Sequence, residues 1–305
     1  MPRRDVGLAL LVVVTWGVNF VAAKIAMESL PPLLMTVLRF VMVAFPAVLL
    51  VKPPGNGWKT VVGVGLTMSA LQFGLLYTGM MLGLPAGLAS LVLQVQSIFT
   101  VVIAVIALGE RPTAIQVTGI VVGLAGMAVV GWQYIASAPA LPFLLAVGAA
   151  LCWATGNVLT RRRPPRSGFS LVVWSALVPP IPLLIASLLL EGPQRDLAAL
   201  SQLCLRSFLA LCFIVYGASM LGYGIWNMLL SRHPAASVAP WSMLVPVVGA
   251  AAAFFYNGET PTVPGLIGAG ITIAGVLLAL GVVEAWLARR RRAGEDPVPI
   301  EPPGL

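Results

Sequence analysis

The chain has 305 residues, 59% of them hydrophobic and 9% charged, too little polar surface for a soluble domain to cover itself. Its formal charge of +8 is not gathered on a polar domain that could grip nucleic acid; Lys and Arg sit in short clusters between apolar runs, as in a membrane topology signal. Cys152, Cys204 and Cys212 lack metal-ligand spacing and give neither a disulfide framework nor a zinc site.

A membrane span needs about 20 mostly apolar residues. The first run, 6–26, follows "MPRR" and has the look of a secretory signal, but it continues to Ala26 and has a counterpart in mid-chain. Further spans are predicted at 32–51, 60–82, 86–108 and 114–134, then at 140–160, 170–190, 207–230, 236–256 and 264–286. The breaks between them carry turn chemistry, as in "KPPGNG" (52–57), "GLPAG" (83–87), "RRRPPRSG" (161–168) and "SRHP" (231–234). Pro46, Pro179, Pro180, Pro182, Pro240 and Pro246 fall within or near spans and should bend them. The acidic, proline-rich end from Glu295 to Leu305 reads as a disordered tail. The expected fold class is an all-α polytopic membrane protein with ten transmembrane helices.

Placing the N-terminus in the cytoplasm puts every Lys and Arg on that side except Lys24, Arg39, Arg195 and Arg206. That asymmetry predicts an N-in, C-in topology.

The halves echo one another. Residues 85–134 laid over 234–283 match at ten positions, with Gly-Glu-x-Pro-Thr repeated at "GERPT" (109–113) and "GETPT" (258–262). The same offset pairs Tyr77 with Trp226 and Thr78 with Asn227, and "WGVNF" (16–20) is echoed by "WATGN" (153–157). Five spans per copy means the second enters the membrane from the opposite side, so the repeats are inverted, as in many secondary transporters. The expected domains are 1–134 and 135–287, one repeat each, then a basic cluster and tail at 288–305. Both Gly-Glu loops are expected to be short turns, with Pro-Thr opening the next helix.

Polar groups at lipid depth are costly and face a protein interior or a wet cavity. The candidates for a substrate cavity are Trp16, Asn19, Arg39, Gln72, Tyr77, Ser90, Gln94 and Ser97 in the first half. In the second half they are Trp153, Asn157, Tyr223, Trp226, Asn227, Trp241 and Ser242. Gln94, Ser97 and Thr100 recur at i, i+3, i+6 with Ser90 four residues earlier. That stripe has two readings, a cavity lining or hydrogen-bonding glue between helices. "GYGIWN" (222–227) reads as an aromatic wall or as a close helix contact. The GxxxG at Gly119–Gly123 reads as packing.

Arg39 is the one charge well inside a span, suited to a substrate carboxylate, to snorkelling toward the cytoplasmic side, or to binding helix-end carbonyls. No Asp or Glu falls in the middle of a predicted span, and the one histidine, His233, lies in a loop. The titratable relay of a proton-coupled carrier is missing, which favours facilitated efflux or exchange and leaves a coupling ion open. No P-loop, nucleophile elbow or histidine-rich motif is present, so no catalytic residue, metal or cofactor is expected.

The ten spans, the paired "GE" loops and "WGVNF" resemble the drug/metabolite transporter superfamily, EamA type, over residues 5–287. Within it, "LALLVVVTWGVNF" (8–20), "LRFVMVAFPA" (38–47), "PAGLASLVLQ" (85–94), "SLVVWSALVP" (170–179), "GYGIW" (222–226) and "VAPWSMLVPVVG" (238–249) are similar to bacterial exporters of O-acetylserine and cysteine. The resemblance implies a bacterial inner-membrane exporter of small amino-acid metabolites, working by alternating access around a cavity between the repeats. Its partners would be an amino-acid-like small molecule and the lipid bilayer, with no nucleic acid. A broader drug, metabolite or amino-acid exporter of the same fold, and a non-transporting membrane scaffold, are the alternatives.

Overall fold

The computed structural model describes residues 1–84, 86–135, 140–257 and 262–280. They are helical, with no strand among the described residues, as expected where lipid offers the backbone no hydrogen bonds. In chain order the long helices are α1 (Arg3–Ala26), α2 (Pro32–Leu50), α3 (Trp58–Met81), α4 (Leu88–Leu108), α5 (Ala114–Trp132) and α6 (Ala140–Arg162). They continue with α7, a pair Gly168–Ser175 and Pro180–Leu190 bent by 45°, then α8 (Leu205–Arg232), α9 (Ala235–Tyr256) and α10 (Val263–Ala279). Eight of these are long and apolar enough to cross a bilayer, and α7 adds a ninth if its two parts form one span.

The tenth, α10, has 17 residues. At about 1.5 Å per residue it reaches roughly 26 Å, short of a hydrocarbon core about 30 Å thick. The stretch 281–286 expected to complete it lies outside the described residues. So do residues 258–261 of the second Gly-Glu loop, Arg289 to Arg292, and the tail.

Proline and π-turns shape the helices. Pro46 lies in the break of α2 between Pro32–Ala44 and Ala47–Leu50, where its lack of an N–H leaves the helical ladder unmade. Pro179 and Pro180 stand at the start of the second part of α7, and Pro240 sits in a 3₁₀ turn, Ala239–Leu244, within α9. Two π-helical segments, Gly65–Leu71 in α3 and Phe213–Tyr223 in α8, overlap at the same offset that pairs 85–134 with 234–283 in the sequence. Such turns put extra backbone on one face and recur at functional sites.

The tightest crossing joins α5 to α10. A Cβ on Gly119 would lie 2.6 Å from the Gly275 carbonyl oxygen, and one on Gly126 would lie 2.7 Å from that of Gly268. Only glycine permits this approach, so the packing reading of Gly119 and Gly123 holds. Gly119 matches Gly268 in the sequence repeat, and Gly126 matches Gly275. The two contacts are therefore exchanged when each glycine is replaced by its sequence match, and they run antiparallel.

The first Gly-Glu loop is a turn with an added duty. Gly109 closes α4 in the left-handed region at φ +67°. Thr113 and Gln116 then cap α5 reciprocally: Gln116 N donates to Thr113 Oγ1 (3.2 Å) and Thr113 N donates to Gln116 Oε1 (2.9 Å). In the second loop Thr262 Oγ1 accepts from Gly265 N at the start of α10 (3.2 Å). The expected helix-opening role of Pro-Thr thus falls to the threonine.

Polar contacts close both ends of the bundle. At the end carrying Arg3, Glu110 Oε1 pairs with Arg161 Nε (2.9 Å), and its other oxygen accepts from Ala235 N (2.9 Å). At that end His233 Nε2 also lies 2.6 Å from Asp5 Oδ2, and Asn56 Nδ2 donates to the Arg163 carbonyl (3.1 Å). At the opposite end Glu191 accepts from Leu33 N (2.8 Å) and Leu34 N (3.0 Å), anchoring the start of α2. Arg206 there pairs with Glu28 (3.4 Å) and donates to the Tyr256 hydroxyl (2.7 Å).

Candidate substrate site

Halfway along the helices three groups of side chains meet. The first is a polar network in which Gln96 is the hub. Gln96 Nε2 donates to Ser242 Oγ (2.6 Å), while Gln96 Oε1 accepts from Thr100 Oγ1 (3.0 Å) and Asn157 Nδ2 (3.0 Å). Asn157 Nδ2 also reaches Thr100 Oγ1 (3.1 Å), and Ser97 Oγ donates to the Ala239 carbonyl (3.1 Å). Gln96, Ser97, Thr100, Asn157 and Ser242 are all fully buried, and the network ties α4 to α6 and α9.

The second group is aromatic. The ring of Trp16 lies 4.9 Å from Tyr223, 5.2 Å from Trp226 and 5.5 Å from Trp153. Trp226 Nε1 donates to Asn157 Oδ1 (2.9 Å), joining rings to network, and Trp16 Nε1 donates to the Ala218 carbonyl (2.9 Å). These separations are contact distances for aromatic pairs. The rings pack on one another and leave no room for an ammonium group between them.

The third group surrounds Arg39. It is 3% exposed, and its Nε donates to Ser219 Oγ (2.6 Å). Its guanidinium carbon stands 4.5 Å from the Phe73 ring centre, 5.5 Å from Phe40 and 6.0 Å from Tyr223. Ser219 and Tyr223 come from the π-segment of α8, and Ser219 Oγ in turn donates to the Ile214 carbonyl (2.8 Å). No ion pair to Arg39 occurs among the described residues. Its snorkelling route is not taken, since the guanidinium stays among rings at mid-depth.

The remaining candidates surround these groups. Tyr77 stacks on Phe73 at 6.0 Å, Trp241 packs in the same apolar cluster as Trp16, Trp153 and Trp226, and Ser90 is half-buried on α4. Eight buried side-chain atoms lack a hydrogen-bond partner among the described residues. Six of them are at mid-span candidates: Asn19 Oδ1, Gln72 Oε1 and Gln94 Oε1 in the first half, Trp153 Nε1, Asn227 Oδ1 and Trp241 Nε1 in the second. Each orphan costs about 1–3 kcal/mol.

The stripe proposed on α4 is re-phased. The helix is interrupted between Ala86–Leu93 and Gln96–Leu108, so Gln94 loses register with Ser97 and Thr100, and Gln96 takes its place. Gln96, a polar residue of the fourth predicted span, stood outside the stripe and the cavity candidates, and Ser219 was not among the polar residues singled out. The i, i+4 spacing of Gln96 and Thr100 was a usable signal, whereas nothing local marks Ser219 as a partner of Arg39.

A bundle of apolar helices, closed at both ends around a polar and aromatic centre, is the make-up of a polytopic membrane transporter rather than an enzyme. The chain belongs to the EamA-like transporter family, whose model matches residues 4–132 and 140–281. It is 42% identical over 287 residues to the "Probable amino-acid metabolite efflux pump" of Salmonella typhimurium, covering 91% of this chain and 95% of that one. The protein of the same description from Escherichia coli is 40% identical over the same shares. A crystal structure 20% identical in sequence superimposes with a TM-score of 0.73, over 95% of this chain and all of the other, which shows a common fold.

Proposed function

We propose that this protein exports small amino-acid metabolites of the cysteine and O-acetylserine kind across a bacterial inner membrane. It does so by alternating access between two inverted five-helix repeats, 1–134 and 135–287, with both termini in the cytoplasm. The exchange-related contacts Gly119–Gly275 and Gly126–Gly268 support the repeats, and the clustering of arginines at one end supports the orientation. The similarity to the amino-acid metabolite efflux pumps supports the substrate class.

The observation that carries the reading is Arg39. Inserting an arginine at mid-helix costs about 2.5–3.5 kcal/mol even on lenient scales, and cation–π contact returns about 0.5–2. One hydrogen bond to Ser219 narrows the gap without neutralising the charge. A substrate carboxylate would supply the missing counter-ion, and the orphaned amide oxygens of Asn19, Gln72, Gln94 and Asn227 would accept from an ammonium group. The rings of Trp16, Trp153 and Trp226 then form a partition that must separate when the site opens. The acidic groups of the described residues lie at helix ends, so transport runs as facilitated efflux or exchange without a buried carboxylate relay.

The test is counterflow of radiolabelled cysteine and O-acetylserine in proteoliposomes, with and without a pH gradient. Wild-type protein should accumulate label equally in both conditions. Arg39→Gln should lose at least tenfold in flux, with Arg39→Lys in between. Absence of counterflow by the folded wild type would sink the transport reading, and unchanged flux in Arg39→Gln would sink the site.

A further inference from the structure

We propose that the chain holds an anionic phospholipid in a lateral groove beside α8, apart from the transport site. The groove encloses about 700 Å³ between the segment 165–169 and the second half of α8. One end is framed by Arg166, Ser167, Ser231 and Arg232, and the wall running away from it by Phe169, Tyr216, Met220, Leu221, Ile225 and Met228. No Asp or Glu is among the described lining residues. Arg39 and the central network are not among them either.

The groove has the polarity of a lipid lying along a helix. Two guanidinium groups and the Ser167 hydroxyl at the basic end suit a phosphodiester, since arginine binds phosphate oxygens through paired N–H donors; the Ser231 hydroxyl donates to the Met228 carbonyl (2.7 Å). The wall beyond is apolar, and Phe169, Tyr216 and Leu221 are 39%, 55% and 46% exposed along it, on the outside of the bundle. From Met220 to Arg232 the helix rises roughly 18 Å at 1.5 Å per residue. That matches one leaflet of a core about 30 Å thick. A soluble anion would use the arginines and leave the apolar wall empty; a neutral lipid would do the reverse. Basic pockets between helices on the cytoplasmic side are where anionic headgroups bind.

Local backbone geometry sets the floor. A Cβ on Gly168 would fall 2.2 Å from the Gly224 carbonyl oxygen and 2.7 Å from Met228 N. The start of α7 therefore seats directly on α8, with Phe169 beside Gly224 at the seam and the Arg166 side chain passing over Gly55. In the orientation proposed above the basic end faces the cytoplasmic leaflet. Binding itself does not depend on that orientation.

The experiment is native mass spectrometry of the full chain in neutral detergent, titrated with phosphatidylglycerol, with phosphatidylcholine, and with glycerol 3-phosphate. Wild-type protein should retain phosphatidylglycerol selectively. A basic residue near anionic headgroups contributes about 1 kcal/mol, which is roughly fivefold, so Arg166→Gln/Arg232→Gln should weaken retention by about twentyfold or more. Leu221→Trp, which fills the wall without changing charge, should also weaken it. Counterflow should proceed in both variants, because neither touches the central site. Equal retention of the two phospholipids, or of phosphatidylglycerol and glycerol 3-phosphate, would overturn the proposal. So would undiminished retention in the folded variants. If the double variant does not fold, the selectivity of the wild type and the Leu221→Trp result decide the matter.

Discussion

Replacing Glu110 with alanine tests the clamp at the Arg3 end of the bundle. The carboxylate serves two partners, Arg161 Nε and Ala235 N, each at 2.9 Å. Ala235 is fully buried, so removing the acceptor strands its N–H and costs about 1–3 kcal/mol. The Arg161 side chain is a quarter exposed, and an ion pair of that kind is worth about 0.2–1 kcal/mol. Glu110→Ala should therefore lose about 2–3 kcal/mol, whereas Arg161→Ala should lose less than about 1. Glu110→Gln keeps an acceptor for Ala235 N and should recover most of the loss. Thermal unfolding of the full chain in detergent, followed by circular dichroism, would show the order: Glu110→Ala melting several degrees below wild type, the other two close to it. If Arg161→Ala falls as far as Glu110→Ala, the backbone bond is not the dominant contact and the reasoning fails.

Other outcomes follow from the packing and the surface chemistry. Trp226→Phe removes the donor to Asn157 Oδ1 in a fully buried setting and should destabilise the chain by about 1–3 kcal/mol; a melt unchanged from wild type would exclude that bond. Gly119→Val puts a Cβ 2.2 Å from Ala279 N, and a loss of about 1–3 kcal/mol or more in the same melt would confirm the overpacked crossing of α5 and α10. Cys204, exposed at the start of α8, has its thiol lowered to about 7, first by hydrogen bonding to the Ser207 hydroxyl, then by the Ser207 backbone and the Ser29 hydroxyl. Its thiolate fraction rises as pH passes about 7, so alkylation by iodoacetamide should be half-maximal there. Ser207→Ala should move that midpoint upward, and a midpoint at the ordinary thiol value in wild type would count against the contact.

Helix positions were legible in the sequence because span length and hydropathy are properties of contiguous residues. α1, α2 and α6 fall where the apolar runs place them. The bend in α7 was foreshadowed by Pro179 and Pro180, but the π-segments of α3 and α8 carry no local mark. Burial of polar groups was also legible: Gln72, Asn157 and Ser242 had to face protein, and they do. Partnership was not. Arg39 meets Ser219 across 180 positions, and the wider π-turns of α8 that present Ser219 are invisible to a pattern based on 3.6 residues per turn. The break at Gln94 shifted the polar stripe by the same kind of local backbone event. Glu110 was expected to sit in a simple turn, and its bonds to Arg161 and Ala235 come from how three loops converge.

The contact of Trp16, Trp153 and Trp226 has a spectroscopic consequence. Indoles with centres 5.2, 5.5 and 6.5 Å apart share excitation, so the three absorb and emit as a coupled set. Two belong to the second half of the chain and one to the first. A movement that drew Trp16 away from Trp153 and Trp226 would break two of the three contacts and change the near-ultraviolet signal. Those indoles are therefore a native optical gauge of the distance between Trp16 and the other two, one that needs no attached dye.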